Sequence, residues 1–184
     1  MISEKVSTAV DFGALRRAMR RVPTSVVVAA TMKRDTPVGM VVGTFTSVSA
    51  DPPLVGFLGD HASRTVPALA DAEYVSYCVL GETEGATVEA FRRPLGDRYR
   101  DLSWSIDADF GTPILTTAVV TIQTRRHSTL PAGDHTLILS EVLDVSTTGA
   151  GRPLVFYDGR LTRTDPTHRS ASEFWEIGWV DGPT

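Results

Sequence analysis

The spacing of apolar positions changes period repeatedly along the 184-residue chain. In "DFGALRRAMRRVP" (11–23), Phe12, Leu15, Met19 and Val22 recur at helical spacing and share one face. Arg16, Arg17, Arg20 and Arg21 fall mostly on the other face, which reads as a solvated surface ahead of a basic patch. Asp11 is the expected N-cap and Pro23 the stop. The period then shortens to that of strands. "TSVVVAAT" (24–31) is dense in β-branched residues, and "KRDTPVG" reads as a turn. "VGMVVGTFTSVS" (38–49) reads as one strand, with Gly43 marking a bulge or a close backbone approach. After the break at "DPP", "LVGFLG" (54–59) is a further strand. A short helix over 63–72 carries Pro67 in or near its first turn.

The rest of the chain continues that pattern. "YVSYCVLG" (74–81) reads as a strand, 83–93 as a helix ended by Pro94, and 97–104 as irregular or briefly helical. Strands are expected over 113–128, 135–146 and 152–164, with "LPAGD" and "TTGAG" as turns between them. Strands with short turns outnumber peripheral helices. The expected architecture is mainly β, a barrel with a few helices on its outside. One domain over 11–164 is expected, flanked by a loose tail at 1–10 and a second tail at 165–184. That second tail carries Trp175 and Trp179, which should pack on the domain or on a partner.

Composition narrows the function classes. The net charge of −4 gives no support for nucleic acid or an anionic membrane as partner. No apolar window is long enough for a membrane helix, and the N-terminus has no signal-like apolar core. The lone cysteine, Cys78, excludes an intrachain disulfide and a multi-cysteine metal site, and fits a reducing cytoplasm. His61, His127, His135 and His168 are scattered, so no metal is expected.

Three stretches could carry chemistry. The strand from Gly39 to Ser49 lines up Thr44, Thr46, Ser47 and Ser49 beside two glycines. Glycine admits a flat ligand to the backbone, and hydroxyls and N–H groups can bind its edge. A plain core strand is the alternative. "HASRT" places Ser63, Arg64 and Thr65 where a helix begins, a good phosphate cradle or an ordinary cap. In "AGDHT", His135 follows Gly133 and Asp134 at a turn-to-strand junction. It can face a cleft, or be a lone structural histidine.

The segments "ALRRAMRRVPTSVVVAAT", "PVGMVVGTFTSVSADPPLV", "SRTVPAL", "DRYRDLSW", "PAGDHTLILSEVLDV" and "PLVFYDGR" together resemble the flavin reductase-like family. Its members are FMN-binding split β-barrels that often serve as reductase components of two-component flavin monooxygenases. The likeness covers about residues 11–163, and "FTSVSADPPLV" with "GDHT" are its most specific parts. It implies hydride transfer from NADH or NADPH to FMN or FAD. Val41, Val42, Gly43 and Thr44 would face the flavin ring, with Thr46, Ser47, Val48 and Ser49 running past it and Cys78 also among the cofactor-binding residues. Ser63, Arg64 and Thr65 would meet its phosphate. His135 would be the catalytic candidate, near the ring and the nicotinamide. The likeness also implies a homodimer, and a flavin-dependent monooxygenase reached by diffusible reduced flavin.

The chain departs from the family pattern at the ring. Gly43 and Cys78 stand where asparagines are common, and Val41 where threonine is common. Each lost neutral hydrogen bond is worth about 0.5–1.5 kcal/mol. A second reading therefore stands beside the first. The barrel would bind a flavin, or another flat aromatic, without reducing it.

Overall fold

A computed structural model describes residues 11–148 and 151–164; the two expected tails at 1–10 and 165–184 lie outside them. Twelve strands, three helices and one 3-10 turn make up the described residues. Seven strands form the main sheet. In chain order these are β2 (Val27–Lys33), β3 (Thr36–Val42), β4 (Thr46–Ala50), β5 (Pro53–Asp60), β6 (Tyr74–Val79), β9 (Val120–Ala132) and β10 (His135–Thr147). Their spatial order is β3-β2-β6-β9-β10-β5-β4. Strands β1 (Thr24–Ser25), β11 (Leu154–Tyr157) and β12 (Arg160–Arg163) make a small sheet, and β7 (Trp104–Ile106) pairs with β8 (Pro113–Leu115).

The two edges of the main sheet, β3 and β4, are consecutive in the chain. The expected single strand over 38–49 is thus two strands, broken at Gly43–Phe45. Thr44 explains the break. Its hydroxyl donates to the Leu58 carbonyl (3.2 Å) and accepts from the Leu58 N–H (3.0 Å). A side chain takes the place of a ladder partner, and the chain crosses from one edge to the other. The Thr44 hydroxyl extends the β4–β5 pairing by one step, and no ladder joins β3 to β4, so the curled sheet stays open between its edges as a split barrel. The expected strand over 113–128 is also two, β8 and β9. The segment expected as a strand over 152–164 is the hairpin β11–β12, turned at Asp158–Gly159, both at positive φ.

Alternation along the strands divides the core in two. The barrel interior holds Val27, Ala29, Val55, Phe57, Tyr77 and Ile138, plugged by Val66 and Leu69 of α2 (Val66–Asp71). The outer face of β2 and β6 holds Val28, Ala30 and Cys78. It is covered by Phe91, Tyr99 and Leu115, beyond α3 (Gly85–Ala90) and the 3-10 turn Leu95–Asp97. The first helix, α1 (Phe12–Met19), is capped by Asp11 as expected, whose carboxylate accepts from the N–H groups of Gly13 and Ala14. It buries none of its residues. The apolar face seen in the sequence is open to solvent, with Phe12 76% exposed.

Gly39 sits where β3 meets the outer core. A Cβ there would stand 2.3 Å from the Tyr99 hydroxyl and 3.0 Å from the Ala29 carbonyl. Tyr99 is itself buried, wedged edge-on between Phe91 and Trp104, and its hydroxyl has no hydrogen-bond partner among the described residues. We expect Gly39→Ala to destabilise the protein by about 1–3 kcal/mol, as overpacking does. Chemical denaturation measures this, and adding Tyr99→Phe should restore part of the loss by removing the clashing atom.

Candidate functional site

A groove runs along the outer face of β3, beneath α3, in two chambers that share Val41, Val88 and Arg92. The larger, about 710 Å³, is mostly apolar. Val41, Val42, Gly43 and Thr44 form its floor, and α1, α3 and the β11–β12 hairpin its walls. The smaller, about 280 Å³, is lined by Met40, Ser63, Thr65, Phe91 and Arg98 among others. The shape suits an elongated ligand with a flat apolar part and a polar end.

The polar end is built by Arg98, which follows the 3-10 turn. Its Nη1 donates to the Gly39 carbonyl (2.7 Å) and to the Thr65 hydroxyl (3.0 Å). Its Nε donates to the Arg93 carbonyl (3.2 Å). All three acceptors are neutral. No carboxylate meets this guanidinium among the described residues, and Nη2 has no partner among them. Burial, and then the neighbouring Arg64, lower its pKa from the usual arginine value, while Tyr99 opposes them. A half-buried cation held by neutral groups beside a second arginine is a site prepared for an anion.

The adjoining loop is ordered around the same point. Thr65 is buried, its N–H donates to the Ser63 hydroxyl (3.2 Å), and that hydroxyl donates to the Met40 sulfur (3.9 Å). Asp60 sets the loop's start, its carboxylate accepting from Ala62 N–H (2.8 Å) and its carbonyl from Ser63 N–H (3.0 Å). Helix α2 has only six residues, so the charged and hydroxyl side chains, more than its dipole, favour an anion here.

The structure brings some candidate residues together and separates others. Val41, Val42, Gly43 and Thr44 share the larger chamber, and Ser63 and Thr65 the smaller, with Arg64 exposed beside it. Thr46, Ser47, Val48 and Ser49 lie on β4, past the chamber. Thr46 spends its hydroxyl on the Ser47 carbonyl. Cys78 lies away from the groove. It is wholly buried in the outer core, and its sulfur accepts from Leu115 N–H (3.4 Å). Strand alternation sends it under α3's layer, so no ligand in the groove meets it.

His135 lines neither chamber. It stands on the outward face of β10, opposite Asp60 of β5. Its Nδ1 donates to the Asp134 carboxylate (2.7 Å), which lowers that carboxyl's pKa below its usual value. On the same outward face the next row is Leu58, Leu137 and Leu130 across β5, β10 and β9. Leu58 and Leu130 are exposed. Because Thr44 is bonded to Leu58, this leucine row borders the groove's floor. Arg98, Val88 and Arg92 are site residues that sequence reasoning missed. "DRYRDLSW" carried the signal, an arginine in a short irregular segment, but nothing local said where it points.

Residues 19–165 match the Flavin reductase like domain, and the chain belongs to that family. It is 32% identical over 167 residues to an NADH:FMN oxidoreductase of Rhodococcus erythropolis, covering 88% of this chain and 86% of the relative. Among solved structures it is similar to the NADH:FAD oxidoreductase SgcE6 of Streptomyces globisporus in complex with NAD and FAD fragments. The TM-score is 0.81 at 28% identity, covering 86% of this chain and 96% of that one. It is also similar to a nitrilotriacetate monooxygenase component B from Mycobacterium thermoresistibile. That TM-score is 0.84 at 25% identity, covering 91% and 94%. The fold is the mainly β split barrel of these proteins.

Burial pushes the Cys78 thiol up to about 11, so it stays neutral and shielded at ordinary pH. We expect no reaction with a disulfide dye at pH 8 in the native protein, and one equivalent after denaturation. Native reactivity at the denatured rate would place the thiol at the surface.

Proposed function

We propose that this protein is an NAD(P)H:flavin oxidoreductase that supplies reduced FMN or FAD to a partner monooxygenase. The observation that carries this reading is Arg98, a half-buried guanidinium with no carboxylate beside it among the described residues, at the polar end of a groove whose other end is flat and apolar. The flavin, when bound, supplies the acceptor for the hydride of NADH or NADPH. Arg98, Ser63 and Thr65, with Arg64 at the rim, hold its phosphate. Backbone groups of Val41–Thr44 meet the ring, where Gly43 offers no side-chain amide and leaves the edge to main-chain N–H and C=O groups. The chain's share is binding, orientation and exclusion of water.

The family likeness supports a monooxygenase as recipient, reached by diffusible flavin. No helix among the described residues is long and apolar enough to cross a membrane. The free buried thiol accords with a cytoplasmic setting. We take the protein to be a homodimer, with the Leu58–Leu137–Leu130 row as the face that a second copy covers. His135, one row away, would then stand at the covered edge of the site, where it could orient the hydride donor. Leu130→Glu should shift the sedimentation coefficient to that of a monomer, and no change in mass at micromolar concentration would remove that face from the interface.

The absorbance band of NADH tests the reaction, since the protein with FMN should bleach it catalytically. Arg98→Ala should weaken FMN binding about 10- to 100-fold, the range for a charged hydrogen bond, and riboflavin binding far less. Equal losses for both ligands would deny Arg98 the phosphate. The second reading, a barrel that binds a flat aromatic without redox chemistry, rests on Gly43 and the inaccessible Cys78. It predicts flavin retention with no NADH oxidation.

A further inference from the structure

Arg16 is a second cation that the flavin site as described does not use. It lies in the last turn of α1 and lines the larger chamber with Arg20 and Arg92. The other two have partners. Arg92 pairs with Glu89 (3.2 Å). Arg20 is clasped to the β11–β12 turn. Its Nη2 donates to the Asp158 carbonyl (3.1 Å), its Nε lies 3.6 Å from the Asp158 carboxylate, and its carbonyl accepts from the Asp158 N–H (2.9 Å). Gly159 admits that guanidinium, since a Cβ there would come within 2.8 Å of it. Next to it, Arg21 bonds Tyr157 of the same hairpin. Arg16 meets no carboxylate among the described residues, while Arg17, pointing elsewhere, pairs with Asp11 (3.9 Å). The clasp therefore fixes a helix that buries none of its own residues and holds over the chamber a guanidinium with no carboxylate partner among the described residues; Glu89, on the same chamber's wall, is taken by Arg92.

The oxidised flavin ring that meets the hydride donor is neutral, and the flavin phosphate is provided for at Arg98. Resting on the reductase reading, the remaining anion that must approach the ring is the pyrophosphate of the dinucleotide hydride donor. We propose that Arg16 binds that pyrophosphate and is a positioning residue for NADH or NADPH. FAD carries the same group, so the two sources need separate measurements.

The test uses the full chain and its Arg16→Gln, Arg16→Lys and Arg17→Gln variants. NADH affinity is read by fluorescence titration without turnover, and KM and kcat by NADH oxidation with FMN. Arg16→Gln should weaken NADH binding and raise its KM about tenfold, with kcat within about twofold. Arg16→Lys should recover most of the loss, and Arg17→Gln should match the parent. With 1-benzyl-1,4-dihydronicotinamide, a donor with no phosphate, parent and Arg16→Gln should react alike. FMN and FAD affinities should be the same in both. Unchanged NADH affinity in Arg16→Gln overturns the proposal, even if the parent is an active reductase. An equal loss with the phosphate-free donor overturns it in favour of a structural role, and a loss confined to FAD overturns it in favour of the flavin's own pyrophosphate. NADH binding that depends on Arg16 in a protein that oxidises no NADH would keep the assignment and remove the reductase reading. Absence of NADH binding by the parent removes both.

Discussion

An arginine half out of water, with no acid beside it among the described residues, is the constraint around which this molecule is arranged. Arg98 is held by the Gly39 carbonyl on β3, the Thr65 hydroxyl before α2, and the Arg93 carbonyl after α3. Those bonds satisfy part of the guanidinium while leaving its charge uncompensated. Removing a cation from water without a counter-ion is costly, and a fold keeps one where a ligand supplies the missing charge. The same bonds tie three separate chain segments to one point, so the polar end of the groove is a rigid corner.

The floor of the groove depends on a different device. The chain passes from one edge of the sheet to the other through Gly43–Phe45, and Thr44 anchors the crossing to Leu58 of β5 with its hydroxyl. Backbone at such a crossing is freed from a ladder on one side, so its donors and acceptors are open to a ligand. On the proposed reading, the split in the barrel is what would provide the ring-binding surface. On one side of the floor lie α3 and α1, and on the other the exposed leucine row and His135.

The fold was legible in the sequence because period-two alternation and β-branched density report strands directly. The crossing at Gly43–Phe45 was less so. Nothing in an unbroken run of small and hydroxylated residues distinguishes a strand from two strands with a crossing between them, although Gly43 hinted at an irregularity. The apolar face of α1 was seen correctly as a face, yet periodicity cannot tell a core-facing stripe from an uncovered one. At the site, Val41–Thr44 line one chamber of the groove and Ser63 and Thr65 the other, with Arg64 at the rim, because each lies on an element whose place follows from chain order. Cys78 went astray through strand parity, which turns it into the outer core. Arg98 was invisible because its partners lie as far as 59 residues away in sequence, and no local pattern encodes such a meeting.

A structure of the protein with FMN tests the central claim most directly. The account predicts the phosphate within hydrogen-bond reach of Arg98, Ser63 and Thr65, and the ring against the backbone of Val41–Thr44 beneath Val88. An FMN bound elsewhere, or with its phosphate in solvent and Arg98 still held only by neutral groups, would contradict it.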